Sequence, residues 1–258
     1  DSQFLVYLLA SHRYRARVIN LSGGTAITNI SQAALSQLVI RAPTIPVQRR
    51  IANVLGSIDD LIENNRRRIE LLEEMAQAIY REWFVHFRYP GHEDATFVDS
   101  PLGPIPEGWE VRGLFDAAEV AFGFSFKSKQ FAATGEFPVV RIRDVASGAT
   151  STFTDEDPGM RYEIRDGDVL IGMDGDFHIR QWSSGRAWLN QRVARLRPTG
   201  ELSALHLRLA IAGPIKRWNE SIVGTTVAHL GKRHMEQIEL VTPNEPLAIR
   251  AAHLFDGI

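Results

Sequence analysis

No stretch constrains this chain more than residues 44–87, whose apolar positions predict one uninterrupted helix. Ile51, Leu55, Ile58, Ile62, Ile69, Leu72, Ala76, Ile79 and Trp83, with Asn65 filling the one gap, follow steps that alternate four and three. This is the a/d spacing of a coiled-coil seam, a narrow stripe that faces a partner helix. Asp59, Asp60, Glu63, Arg66, Arg67, Arg68, Glu70, Glu73 and Glu74 fall between the seam positions and predict a solvated outer face. Thr44 suits the N-cap, Pro46 the first turn, where a missing N–H is harmless, and Pro90-Gly91 the end. At 1.5 Å per residue the helix would be roughly 60 Å long. That length favours a spacer or docking rod over an amphipathic core helix. The lone polar Asn65 fits a position that sets register at some cost in stability. A seam needs a partner, and the sequence holds no second helix of comparable length. The partner is therefore expected from another chain or from sequence outside these residues.

With 29 Lys and Arg against 31 Asp and Glu in 258 residues, the chain is no polycation, so any grip on nucleic acid must come from a local basic face. It has no Cys, which excludes disulfides, thiolate metal sites and a Cys nucleophile and suits a reducing cytoplasm. No apolar run reaches the ~18 residues that suggest a membrane-spanning helix, and nothing resembles a signal peptide. Asp1 is not an initiator residue, so an upstream segment is expected. The length leaves room for one large or two smaller domains.

In chain order, residues 4–11 predict a helix, Gly23-Gly24-Thr25 a turn, residues 31–36 a second short helix and residues 38–41 a strand. Beyond Pro90 a polar, Pro- and Gly-rich linker leads to Trp109. Short strands are then predicted around Val111 and Val120 and over residues 137–142, 168–171 and 189–196, followed by a helix over residues 205–211. The chain also repeats itself at an offset of 200. Gly24-Thr25 meets Gly224-Thr225, and Leu38, Pro43, Pro46, Arg50 and Ile58 meet Ile238, Pro243, Pro246, Arg250 and Ile258. The repeat predicts that residues 1–43 are the tail of a first globular domain, 44–88 a long helix, 89–108 a linker, 109–243 a complete second domain, and 244–258 the start of a second long helix. The fold class expected is α+β: strand-rich mixed domains joined to long coiled-coil helices.

This organisation, together with several motifs, resembles the specificity (S) subunit of type I restriction–modification enzymes. Ile105-Pro106-Glu107-Gly108-Trp109 is similar to the family's opening I-P-x-G-W, Gly167-Asp168-Val169-Leu170-Ile171 to its G-D-h-L-h strand and Leu189-Asn190-Gln191 to its L-N-Q strand. Residues 137–145 resemble a strand ending in a polar reading loop. Gly224-Thr225-Thr226-Val227 resembles its G-T turn, and Pro46-Val47-Gln48-Arg49-Arg50-Ile51 its P-E-Q-x-x-I lead-in, with Val47 in place of Glu. The resemblance implies a non-catalytic subunit whose globular domains each read one half of a split double-stranded DNA target. Its paired helices would fix the distance between the halves and dock methyltransferase subunits, two by expectation. S-adenosylmethionine would bind the methyltransferase, a motor subunit would cleave, and the complex would work in a prokaryotic cytoplasm without a membrane. No cofactor and no metal are expected in this chain.

The residues agree with a reader. No Gly-rich phosphate loop, Asn/Asp-Pro-Pro-aromatic motif or HExxH spacing occurs, and Asp174, Asp176 and His178 read as a solvated loop rather than metal ligands. Loops that combine basic, amide and hydroxyl groups are the contact candidates, because such side chains bond phosphates and base edges. They are Lys127, Ser128, Lys129 and Gln130; Arg141 and Arg143 at a strand end; His178, Arg180 and Gln181 in a loop between two strands; and Thr225 and Thr226 with His229, Lys232, Arg233 and His234. Trp109, Trp182 and Trp188 read as packing residues. The alternative from another class is a coiled-coil scaffold whose globular domain binds protein. A third reading, the recognition half of a fused endonuclease–methyltransferase, requires catalytic motifs upstream.

Overall fold

A computed structural model describes residues 1–21, 36, 38–221 and 229–257. The turn expected at 23–25, most of the short helix at 31–36, and Thr225 and Thr226 lie outside the described residues. The chain divides into two compact units, Asp1–Leu72 and Glu73–Ile258.

In the first unit, α1 (Ser2–Ala10) starts on an Asp1 carboxylate that accepts the Phe4 N–H at 2.9 Å. Extended backbone at Ser11 separates it from α2 (His12–Leu21), a helix the residue pattern did not announce. The long helix α3 (Ile45–Tyr80) follows, with Pro46 in its first turn and the Thr44 carbonyl accepting the N–H groups of Val47 and Gln48. Phe4, Tyr14 and Ala52 are buried, and the Tyr7 hydroxyl donates to Asp59 at 2.5 Å. Residues 38–41 form no strand, contrary to the pattern; the Arg41 N–H donates instead to the Tyr14 hydroxyl at 3.2 Å. The reason is pairing. Two hundred positions on, the matching stretch is a strand because it pairs with residues 110–113, whereas 38–41 has no equivalent partner among the described residues.

Helix α3 begins in the first unit and ends in the second. Along its seam Ile51, Ile58, Ile62 and Ile69 are exposed, the last by 58%. A flanking row at seven-residue spacing, Val47, Val54 and Leu61, is exposed as well and widens the apolar stripe; Arg68 interrupts it before exposed Met75. Toward its end the seam is covered: Ala76 is buried, and Ile79 and Trp83 are partly so. The helix closes in a π-helical turn (Arg81–Val85), with the His86 N–H on the Arg81 carbonyl at 2.9 Å. Phe87 then takes φ +56°, a left-handed conformation that stops the helix before Pro90 is reached.

In the second unit the end of α3 is followed by β1 (Phe97–Val98) and β2 (Ile105–Pro106), a small antiparallel pair. Next come β3 (Glu110–Gly113), α4 (Leu114–Ala117), β4 (Ala118–Phe122), β5 (Phe137–Val140), α5 (Ile142–Ser147), β6 (Phe153–Thr154), β7 (Glu163–Ile164) and β8 (Val169–Gly172). The chain continues through β9 (Ile179–Gln181), β10 (Ala187–Leu189), β11 (Val193–Pro198), α6 (Ala204–Ser221), α7 (Lys232–Met235), β12 (Glu239–Thr242) and α8 (Glu245–Asp256). Two four-stranded sheets carry the domain, ordered β6-β5-β10-β7 and β4-β11-β8-β9, and β12 pairs with β3. Only β5 and β10 run parallel among these described pairs. Strand β8 is buried throughout because both its faces are covered. Val169 and Ile171 join a core with Leu207, Ile211 and Ile215 of α6, while Leu170 points to the other side with Val140, Trp182, Leu189 and Val193.

Three expected elements differ. The apolar run 137–142 is a strand only to Val140; α5 then starts because the Asp144 carboxylate accepts the Arg141 N–H at 2.9 Å. The run 189–196 is two strands, split by a turn at Asn190-Gln191-Arg192. Residues 177–183, expected as a loop, include β9, which pairs with β8.

Arg197 of β11 ties the two sheets together, its Nη2 donating to the Glu163 carbonyl of β7 at 3.1 Å. Arg197 makes a bidentate pair with Asp168, Nε to Oδ1 at 2.6 Å and Nη2 to Oδ2 at 3.0 Å, which raises the arginine's pKa. Burial opposes ionisation of Glu163, yet hydrogen bonds from Arg165 and Arg186 prevail and hold its carboxyl below the usual carboxylate value. A third core joins Ala76 and Phe84 of the long helix's end to Trp109 and to Leu247, Ala251 and Phe255 of α8. Helix α8 is capped by Asn244, whose side chain accepts the Leu247 N–H at 3.2 Å. Helices α3 and α8 thus start 200 residues apart, at Ile45 and Glu245. His206 sits in this region, only 3% exposed, its ring 4.3 Å from that of Phe84 and 5.3 Å from that of Tyr80.

Candidate nucleic-acid interface

Loops at the ends of the two large sheets carry most of the expected contact residues. After β4, buried Phe126 packs with Val139 and Trp188 and anchors the loop above it. There Lys127, Ser128, Lys129 and Gln130 are all exposed, and the Lys127 N–H donates to Glu156 at 3.3 Å. The same loop reaches Arg141, whose guanidinium lies 5.4 Å over the Phe131 ring. Arg143, on α5 rather than at a strand end, has a side chain 61% exposed and donates to the Thr152 hydroxyl at 3.3 Å. Ala132 bridges to Phe153, next to Thr152. These residues therefore lie along one loop rim, where the cations are accompanied by hydroxyl and amide groups and by the carboxylates of Glu156 and Asp144, the latter 3.7 Å from Arg143 Nε.

A second group gathers after β8. His178 is exposed there, and Asp174 is shared between two partners: His229 Nδ1 at 2.6 Å and Arg192 Nε at 3.3 Å. Lys232 is committed elsewhere, 3.4 Å from Glu236 and 5.8 Å over the Phe115 ring. Arg233 is exposed, and the His234 ring accepts the Gly231 N–H at 3.0 Å. Among the described residues no group of three His, Cys, Asp or Glu is placed to hold a metal ion.

Arg180 lies at the surface, but two of its three guanidinium nitrogens, Nε and Nη2, are already committed. Its Nε donates to the Val145 carbonyl at 2.9 Å and its Nη2 to the Ala146 carbonyl at 2.7 Å, so it closes the C-terminal end of α5. Gln181 is half-buried in β9 opposite Val169. Residue reasoning missed the turn that links both groups, at residues 190–193. Its signal was present as a polar Asn-Gln-Arg triplet inside an apolar run. A separate cavity of about 570 Å³, lined by Tyr80, Arg81 and Val85 of the long helix's end and by Arg208 and Leu209 of α6, contains none of the expected contact residues.

The chain therefore carries a long helix with exposed apolar residues along one stripe and a two-sheet domain whose loops expose Lys127, Lys129 and Arg143. Residues 1–74 and 106–246 match the type I restriction modification DNA specificity domain, and the chain belongs to that family. Among curated relatives, the specificity subunit of type I restriction enzyme MjaIX of Methanocaldococcus jannaschii is 30% identical over 148 residues, 57% of this chain and 34% of that protein. The specificity subunit of EcoBI of Escherichia coli is 33% identical over 146 residues, 56% of this chain and 30% of that one. The chain thus spans about a third of the length of these relatives. Among solved structures, the S subunit of the type I restriction–modification system from M. genitalium superposes with a TM-score of 0.60 at 19% identity, over all of this chain and 66% of that one. The α+β fold with its long helix is therefore the fold of that structure.

Proposed function

We propose that this chain is the DNA-reading part of a type I specificity subunit, itself without catalysis. The domain at 109–243 reads one half of a split duplex target through its loop rim. The helix α3 pairs along its seam, spaces the two halves and docks methyltransferase subunits, which bind S-adenosylmethionine and carry out methylation in the cytoplasm. Cleavage, where it occurs, belongs to a further subunit. The observation that carries this reading is the family match across both helix and domain, on a chain whose rim presents Lys127, Lys129 and Arg143 to solvent. The exposed stripe of Ile51, Ile58, Ile62 and Ile69 supports the docking role, since isolated exposed apolar residues are ordinary but a repeated row along one helix face is not. Helix α8, which joins the end of α3 in one core, is the start of the seam's partner.

The test is duplex binding by the full-length subunit assembled with its methyltransferase subunits. The triple substitution Lys127→Ala, Lys129→Ala and Arg143→Ala is expected to lower affinity about tenfold or more, because each lost phosphate contact removes counterion release. The thermal midpoint should stay within about 2 °C, as exposed side chains contribute little to stability. Unchanged affinity at unchanged stability would remove the rim from the interface.

A further inference from the structure

The two loop groups are tied together by one turn, which is held by backbone bonds on both sides. The Val193 N–H donates to the Asn190 carbonyl at 2.9 Å, which places Gln191 and Arg192 at the two central positions of a β-turn. On one side the Phe124 N–H donates to the Leu189 carbonyl at 2.8 Å and the Gln191 N–H to the Phe124 carbonyl at 2.9 Å. On the other side the Met173 N–H donates to the Arg192 carbonyl at 3.0 Å, and the Leu230 N–H to the Met173 carbonyl at 2.7 Å. The Lys127 loop, the Asp174 loop and His229 therefore share one backbone reference point.

The side chains on this turn face outward. Gln191 is exposed, and the Arg192 side chain is 52% exposed. Arg192 uses Nε toward Asp174 at 3.3 Å, which leaves its Nη donors without a partner among the described residues. Asp174, at 28%, is the most covered member of the group, while His229 is 48% exposed. The carboxylate is thus the base of the cluster and the guanidinium its outer edge. A cation braced in this way presents its donors at a fixed position, whatever base pair lies beneath. Contacts to phosphate set register and orientation without carrying sequence.

We propose that the turn at 190–193 is a sequence-independent phosphate anchor, with Arg192 as the contacting cation, Gln191 as a neighbouring donor and Asp174 as the positioning residue for Arg192. The inference rests on the DNA-reading function above and assigns a role within it: the turn sets the register of both loop groups on the duplex backbone.

The experiment uses the assembled full-length complex, a duplex carrying its mapped target and a scrambled duplex of the same length, with binding measured by fluorescence anisotropy across a salt series. In the double substitution Gln191→Ala and Arg192→Ala, affinity for both duplexes is expected to fall by the same factor, about tenfold. The slope of log affinity against log salt should become shallower by about 0.9, one phosphate's worth. Arg192→Lys should restore the slope. Thermal melting of the variants reports whether they remain folded. The proposal is overturned if folded variants keep wild-type affinity and slope, or if only the target duplex loses affinity, which would make the turn a base reader. A wild-type complex that binds neither duplex would instead overturn the DNA-reading function itself.

Discussion

Replacing Gly123 with alanine is expected to destabilise the recognition domain by about 3 kcal/mol or more, at the upper end of what overpacking costs. The added Cβ would lie 1.9 Å from the Asn190 carbonyl oxygen and 2.2 Å from its carbon, both backbone atoms. No rotamer change relieves such a contact, so the turn at 190–193 must move. That movement breaks the bonds that hold Phe124 and Gln191 together and disturbs both loop groups at once. The midpoint of thermal unfolding should fall by roughly 6–12 °C for a domain of this size, and duplex binding should fall with it. Gly231→Ala is the matched control. Its backbone is extended, at φ −86° and ψ 170°, and its Cβ would meet only the rings of His229 and His234 at 3.8 Å, an ordinary contact. The control should cost at most about 1 kcal/mol, the difference between glycine and alanine at a helix N-cap. If Gly123→Ala melts with the wild type, the close approach of the two backbones is not a feature of the protein.

Acid should destabilise the domain through His206 well before most carboxylates titrate. Burial among the rings of Tyr80 and Phe84 pushes its imidazole down from 6.5 to about 4, and its Nε2 has no hydrogen-bond partner. The folded state therefore holds the neutral ring, while the unfolded chain takes up a proton first as the pH falls. The stabilisation is complete above pH 6.5 and is lost progressively down to about pH 4, where the folded protein also protonates. At about 1.4 kcal/mol per unit, the loss across that window is about 3 kcal/mol. The readout is the difference between wild type and His206→Leu in denaturant unfolding at a series of pH values. The difference should grow steadily in the variant's favour below pH 6.5. Parallel curves would show that the imidazole is not held neutral.

The long helix α3 was legible because a four-three alternation over ten positions is a property of sequence alone. Its end was not: the π-helical turn at Arg81–Val85 and the left-handed Phe87 have no periodic signature, so Pro90 stood as the visible stop. The strand-rich character of residues 109–243 was legible from short apolar runs, but where those runs break depends on local hydrogen bonds. Asp144 turns the strand at Arg141 into a helix, and Asn190-Gln191-Arg192 divides one apolar run into β10 and β11. A strand at 38–41 failed for the opposite reason, since strand propensity is realised only with a neighbour to pair. In the candidate interface, exposure of Lys127, Lys129 and Arg143 follows from composition and turn chemistry. Arg180 shows the limit of that reasoning. Its partners, the carbonyls of Val145 and Ala146, lie 35 and 34 residues away in sequence, and nothing local distinguishes it from a free arginine.

The measurement that bears most directly on the reader-and-spacer account is a methylation map. The full-length subunit is assembled with its methyltransferase subunits, supplied with S-adenosylmethionine and unmethylated genomic DNA, and the modified sites are sequenced. A split motif is expected: two short specified elements separated by a gap of constant length and free sequence, one element read by the domain at 109–243. A contiguous motif, a gap of varying length, or methylation without site preference would contradict the reader-and-spacer role.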